Sequence, residues 1–169
     1  AGQNHENAKL KAGVMPDRLK NKIAIVTGAG TGIGKAIARI FAAEGARVSV
    51  CGRTRERLEE TVQEIQKAGG EAMAMCCDVS DAEQVAALVR QTVNHFGGLN
   101  VLVNNAGVRG SIQTIEEITE QEWQQTFDID AKGTWLCSKA AIPELRKSGG
   151  GSIIVITSIS AHVGQAKQG

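Results

Sequence analysis

From residue 22 onward, short uninterrupted apolar runs alternate with stretches in which apolar residues recur every three or four positions. KIAIVT at 22–27 is the pattern of a strand covered on both faces. Ile33, Ile37, Ile40 and Phe41 then recur at helical spacing and predict a helix with that inner face, ended by Gly45. Residues 47–51 predict a second strand. Leu58, Val62 and Ile65 mark the face of a second helix, closed by Gly69 and Gly70, and a third strand is expected at 71–76. Ser80 and Glu83 have the capping-box spacing, a hydroxyl acceptor three residues before a carboxylate. They predict the start of a helix that buries Val85, Leu88, Val89, Val93 and Phe96. NVLVN at 100–104 reads as the fourth strand. Thr119 and Glu122 repeat the capping-box form ahead of a long helix over 120–147, which Pro143 should kink or shorten. Three glycines at 149–151 then break the chain before a fifth strand at 152–157, read as buried.

Repeated strand–helix units imply a parallel sheet with right-handed crossovers and helices on both faces. The expected architecture is an α/β doubly wound, Rossmann-like sheet with strand order 3-2-1-4-5. Residues 1–18 are expected to be a flexible tail and 19–169 a single, incomplete domain of this type. The length of 169 residues suits one domain, and 42% hydrophobic with 22% charged residues is ordinary for a globular protein. A formal net charge of +1 offers no broad attraction to nucleic acid or an anionic membrane. No apolar run approaches the roughly 18 residues of a membrane span, and the first residues lack a signal-peptide core. A cytoplasmic protein with neither partner is expected. Cys51, Cys76, Cys77 and Cys137 read as small buried thiols, and His5, His95 and His162 have no metal-ligand spacing with them.

Directly after the first strand, TGAGTGIG at 27–34 opens a helix. Its glycines let backbone approach a ligand, and free N–H groups at a helix start favour a pyrophosphate. Gly28, Thr31, Gly32, Ile33 and Gly34 are therefore candidate dinucleotide contacts, with Gly34 allowing the helix to pack closely. The end of the second strand selects the dinucleotide. A carboxylate there would accept bonds from the ribose hydroxyls of NAD, but this chain reads Cys51-Gly-Arg53-Thr54-Arg55. Arg53 can form charge-assisted bonds to a 2′-phosphate and Thr54 can add a hydroxyl, so NADP(H) is the expected cofactor.

The spacing Thr27-Gly28-x-x-x-Gly32-Ile33-Gly34 resembles the short-chain dehydrogenase/reductase family. Asn104-Asn105-Ala106-Gly107 is similar to that family's NNAG motif. Asp78-Val79 is similar to its adenine-contacting pair, and GSIIVITS at 151–158 to the segment carrying its catalytic serine. The resemblance runs from about Leu19 to Gly169. It implies reversible hydride transfer between NAD(P)H and a carbonyl or secondary alcohol of a small molecule. Ser158 would polarise the substrate oxygen, and Asn105, Ala106 and Gly107 would line the nicotinamide-ribose side.

Two departures stand out. Asp130 occupies the place of the family's relay asparagine, where it would be a buried carboxylate or serve through its backbone carbonyl. The chain also contains no tyrosine, whereas the family's Tyr-x-x-x-Lys would fall just beyond Gly169. The expectation is therefore the N-terminal part of an NADP(H)-dependent oxidoreductase, inactive by itself for want of a proton donor. An NAD-dependent sugar or alcohol dehydrogenase of the same family is one alternative. A module that binds a dinucleotide or a partner without catalysis is another. Family helices of this kind pack against their twins, implying a homodimer or homotetramer. Trp123, Phe127 and Trp135 are expected at that surface or, more readily, in the core.

Overall fold

Uncharged runs of valine, isoleucine and alanine can be buried on both sides, and they occupy the centre of the molecule. The computed structural model describes residues 17–110 and 112–158. Strands β1 (Ile23–Thr27), β2 (Arg47–Gly52), β3 (Glu71–Cys76), β4 (Val101–Asn104) and β5 (Ser152–Val155) are all parallel. Their order is β3-β2-β1-β4-β5, as the strand–helix alternation predicts. Connecting them are α1 (Gly32–Ala43), α2 (Arg55–Lys67), α3 (Ala82–Phe96), α4 (Glu120–Phe127) and α5 (Gly133–Lys147).

Side chains alternate across the sheet and build two cores. Ala24, Val26, Val48, Val50 and Val103 face α1 and α2, where Ala38, Ala42, Leu58 and Ile65 close over them. Ile25, Cys51 and Leu102 face the other way, toward Val85, Leu88 and Val89 of α3 and Leu136, Ala141 and Leu145 of α5. A polar pair bridges elements inside: the buried Thr92 hydroxyl donates to Ser49 Oγ at 2.8 Å, tying α3 to β2. Arg18, in the turn before β1, reaches the almost fully buried Glu44 carboxylate at 3.1 Å.

Several local expectations give way to tertiary packing. The inner face of α1 is Gly34, Ala38 and Ala42, with Ile37 and Phe41 partly covered, while Ile33 and Ile40 are 63% and 55% exposed. Small residues let the helix lie close to the sheet, and the larger stripe is rotated outward. Ser80 does not cap α3. Its hydroxyl donates to Asp78 Oδ1 at 2.7 Å, and Asp81 takes the cap by accepting from Glu83 and Gln84 N–H. The capping box at Thr119 and Glu122 is present in full. The predicted helix over 120–147 is interrupted by a widened π turn at Asp128–Lys132, and Pro143 lies within α5 without ending it. Trp123, Phe127 and Trp135 are exposed rather than core, and so is Cys76. β5 is exposed along its length, because it is the edge of the sheet among the described residues.

Asp81→Ala should lower the thermal midpoint by about 2–4 °C at neutral pH, whereas Ser80→Ala leaves α3 capped. Bonds from the Gln84 and Glu83 backbones hold the Asp81 carboxyl below its ordinary value. The difference between wild type and Asp81→Ala is thus full above about pH 3.9 and vanishes as pH falls through the lower folded value. Thermal melts across an acid series check both points.

Candidate functional site

The C-terminal ends of β1, β2 and β4 converge on one cleft, where open parallel sheets bind ligands. Thr27 closes β1 and is 1% exposed, and its hydroxyl accepts from Asn105 N and Ala106 N, both at 2.9 Å. It also donates to Val103 O at 3.3 Å. One hydroxyl thereby joins the glycine loop to the NNAG loop. Asn105 strengthens the joint through its Nδ2, which donates to Thr27 O at 2.9 Å.

This close approach explains two glycines. Gly28 has φ of +64°, and a Cβ there would meet Ala106 Cα at 2.9 Å. A Cβ on Gly34 would run into Asn105 Nδ2 and the Gly28 carbonyl oxygen. The loop is also held from behind: Ala29 N donates to Cys51 O at 3.0 Å, and the buried Thr61 hydroxyl of α2 donates to Ala29 O at 3.1 Å. In contrast, the start of α1 is open. Thr31, Gly32 and Ile33 are exposed, nothing lies within 4 Å of where a Gly32 Cβ would be, and the Thr31 side chain makes no capping bond. The first turn carries no acidic residue.

A small cavity of about 120 Å³ touches Gly28, Gly52, Arg53, Asp78, Val79 and Ala106. Gly107, Val108, Cys77 and Ile129 complete its wall. Arg53 and Thr54 are exposed at the end of β2, and Thr54 heads α2 without a side-chain capping bond. The Asp78 carboxyl is held below the usual range by the Ser80 hydroxyl and N–H, with Arg53 adding a smaller attraction. The Asp78 N–H donates to Gln84 Oε1 at 2.9 Å, so the start of this loop is fixed. Val79 is pressed against Gly133, where a Cβ would come within 2.7 Å of Val79 Cγ2.

Asp130 lies in the π turn and is exposed rather than buried. Its Oδ1 accepts from Val108 N at 2.9 Å, staples the loop after the NNAG motif, and its carbonyl accepts from Thr134 Oγ1 at 2.8 Å. Ser158 is exposed beyond β5, on the same edge of the sheet, since Ile156 N still pairs with Asn104 O at 2.9 Å. His5 and His162 lie outside the described residues. Cys51 and Cys77 share a hydrogen bond in the core wall that raises the Cys51 thiol and lowers Cys77, and burial pushes Cys137 up to about 12. A larger recess of about 390 Å³ between α1 and α2 touches none of these residues.

Sequence reading missed the roles of Thr27 and Thr61. A hydroxyl closing an otherwise apolar strand signals the first, whereas Thr61 looks like any polar residue on a helix. Thr27→Val preserves shape but strands the Asn105 and Ala106 N–H groups. It should cost about 2–3 kcal/mol, with Thr27→Ser close to wild type, as read by chemical denaturation.

The chain matches the short chain dehydrogenase family over residues 22–169. It is 40% identical over 145 residues to the Homo sapiens dehydrogenase/reductase SDR family member 4, covering 86% of this chain and 52% of that protein. It is 37% identical over 152 residues to the 3beta-hydroxysteroid dehydrogenase of Mediterraneibacter gnavus, covering 90% and 55%. A solved 7 alpha-hydroxysteroid dehydrogenase, complexed with NADH and 7-oxo glycochenodeoxycholic acid, superposes with a TM-score of 0.85 at 35% identity. That match covers 89% of this chain and 58% of the other. A 3-ketoacyl-ACP reductase from Sinorhizobium meliloti superposes at 0.80 with 43% identity, covering 82% and 54%. The chain spans about half the length of the curated relatives it matches. Its sheet order, its joined glycine and NNAG loops and the match from residue 22 onward lead to one conclusion: the chain belongs to the short-chain dehydrogenase family of oxidoreductases.

Proposed function

We propose that these residues are the NADP(H)-holding part of an oxidoreductase that transfers hydride between nicotinamide and a small-molecule carbonyl or secondary alcohol. The observation that carries the cofactor choice is Arg53, a cation rather than a carboxylate, at the end of β2 beside the cleft. One solved relative is bound to NADH, and a carboxylate facing the ribose would suit that ligand. A guanidinium suits a 2′-phosphate.

The residues fit such a dinucleotide. The uncapped N–H groups of α1 at Thr31, Gly32 and Ile33, with Gly28 and Gly34 keeping the loop tight, suit the pyrophosphate. Arg53 and Thr54 would hold the 2′-phosphate, Asp78 and Val79 the adenine, and Asn105, Ala106 and Gly107 the nicotinamide ribose. Bound there, the cofactor supplies or receives hydride. Ser158 would orient and polarise the substrate oxygen. Asp130 would act by holding the Val108 loop in place, as its carboxylate bond to Val108 N suggests. The chain holds no tyrosine.

The exposed aromatic side of α4 and α5 supports a homodimer or homotetramer. Trp123 and Phe127 stack at 4.5 Å, and Lys139 lies 4.8 Å over the exposed Trp135 ring.

Arg53→Asp should weaken NADPH binding about 10–100-fold while sparing NADH. An unchanged NADPH-to-NADH affinity ratio in titrations of the full-length protein counts against the NADP assignment. Ser158→Ala should lower kcat at least about 100-fold with NADPH affinity retained, if the serine polarises the reacting oxygen.

A further inference from the structure

Two cysteines meet beside the cleft, and hydride transfer has no use for either. Cys51 lies one residue before the end of β2, and Cys77 directly follows β3. The parallel register sets Cys51 beside Met75 and Gly52 beside Cys76. Side chains alternate along a strand, so Cys51 and Cys77 turn to the same face, and both lie in one buried cluster. Cys77 N donates to Gly52 O at 2.9 Å, which holds the two chains together at this point. The thiols add a hydrogen bond of their own. Cys76 is exposed and turns to the opposite face.

The pair is asymmetric. Cys51 is fully buried, whereas Cys77 forms part of the wall of the 120 Å³ cavity at the glycine loop. That volume is several times the roughly 30 Å³ share of one water, so a molecule the size of hydrogen peroxide fits against the sulfur. The shared hydrogen bond lowers the Cys77 thiol, against the opposing charges of Asp78 and Asp81, and raises Cys51. Cys77 therefore has the thiolate character that attack on an oxidant requires. Cys137, in the same cluster, is pushed up to about 12 by burial and does not reach the cavity wall.

We propose that Cys51 and Cys77 are a modification site, joined by hydrogen peroxide into a disulfide that weakens dinucleotide binding. The Cys77 thiolate attacks one peroxide oxygen: an S–O bond forms, the O–O bond breaks, and hydroxide leaves and takes up a proton. The Cys51 sulfur then attacks the Cys77 sulfur. The S–S bond forms, and the S–O bond breaks to release hydroxide, which leaves as water with the Cys51 proton. Two thiols are oxidised by two electrons, and one peroxide becomes two waters. Drawing Cys77 toward Cys51 pulls on Asp78 and Val79, which have little slack. Asp78 N is bonded to Gln84 Oε1 at 2.9 Å, and Val79 is pressed against Gly133. The Cys51 carbonyl holds Ala29 of the glycine loop at 3.0 Å. The new bond thus displaces the cavity on two sides, and by linkage a bound dinucleotide opposes the bond. This coupling rests on the cofactor reading above; the disulfide does not.

The test treats reduced full-length protein with hydrogen peroxide, with and without saturating NADPH. Peptide mass mapping should recover the segment bearing Cys51 joined to the segment bearing Cys77, and NADPH should slow its formation. Titration of the oxidised protein should show NADPH affinity weakened about fivefold or more, restored by dithiothreitol. Cys76→Ala should keep the cross-link. Cys51→Ala should lack it, and its NADPH affinity should no longer respond to peroxide. Absence of the link in wild type, or its loss in Cys76→Ala, overturns the site. A link that leaves NADPH affinity unchanged overturns the coupling. Reduced protein that binds no dinucleotide overturns the cofactor reading and the coupling together, while the peptide map still decides the disulfide.

Discussion

The Thr27 hydroxyl has one proton and two lone pairs, and the fold uses all three. It accepts from two successive backbone N–H groups of the NNAG loop and donates back to the strand beside it. With Thr27 itself buried, a missing partner would leave partly covered donors unsatisfied. The loops after β1 and β4 therefore cannot move apart independently. Gly28 and Gly34 follow from that constraint, because the Asn105 amide and the Ala106 backbone occupy the space a side chain would need. Thr61 and Cys51 hold the far side of the same loop through Ala29. A rigid floor results, and α1 begins above it with its first N–H groups uncapped.

Around that floor the molecule divides by what each surface faces. The helices on the sheet bury apolar stripes in two separate cores. α4 does the opposite: it shows glutamines to the cleft and aromatic rings to the outside. The π turn after it is where the change of facing occurs. Ile129 is buried there, Asp130 is aimed at the Val108 backbone, and α5 resumes with Leu136 and Cys137 packed inward. Widening one turn changes the angular spacing of the residues that follow, so two helical faces of opposite polarity can be joined in one run.

Much of this was legible from residue order. The sheet order follows from repeated strand–helix units, and the inner faces of α2 and α3 follow from the spacing of Leu58 and Ile65 and of Val85, Leu88 and Val89. The α1 face was misread because hydrophobicity ranks isoleucine above alanine, whereas the close approach of helix to sheet favours Gly34, Ala38 and Ala42. Ser80 and Glu83 matched a capping pattern, yet Asp81 competes for the same N–H groups, and Asp78 draws the Ser80 hydroxyl away. Neither competition is visible in spacing alone.

The sequence by itself determined the family, the parallel sheet and the loop that bears the glycines, because short-range patterns of apolar residues and glycine suffice for those. It also named Arg53 as the residue that distinguishes the end of β2. Only the tertiary structure decided that Thr27 and Asn105 lock two distant loops together, that Asp130 serves the Val108 backbone, and that the polar side of α4 faces the cleft. Each of these depends on which groups, far apart in the chain, compete for the same hydrogen bond or the same space, and that is settled when the elements pack.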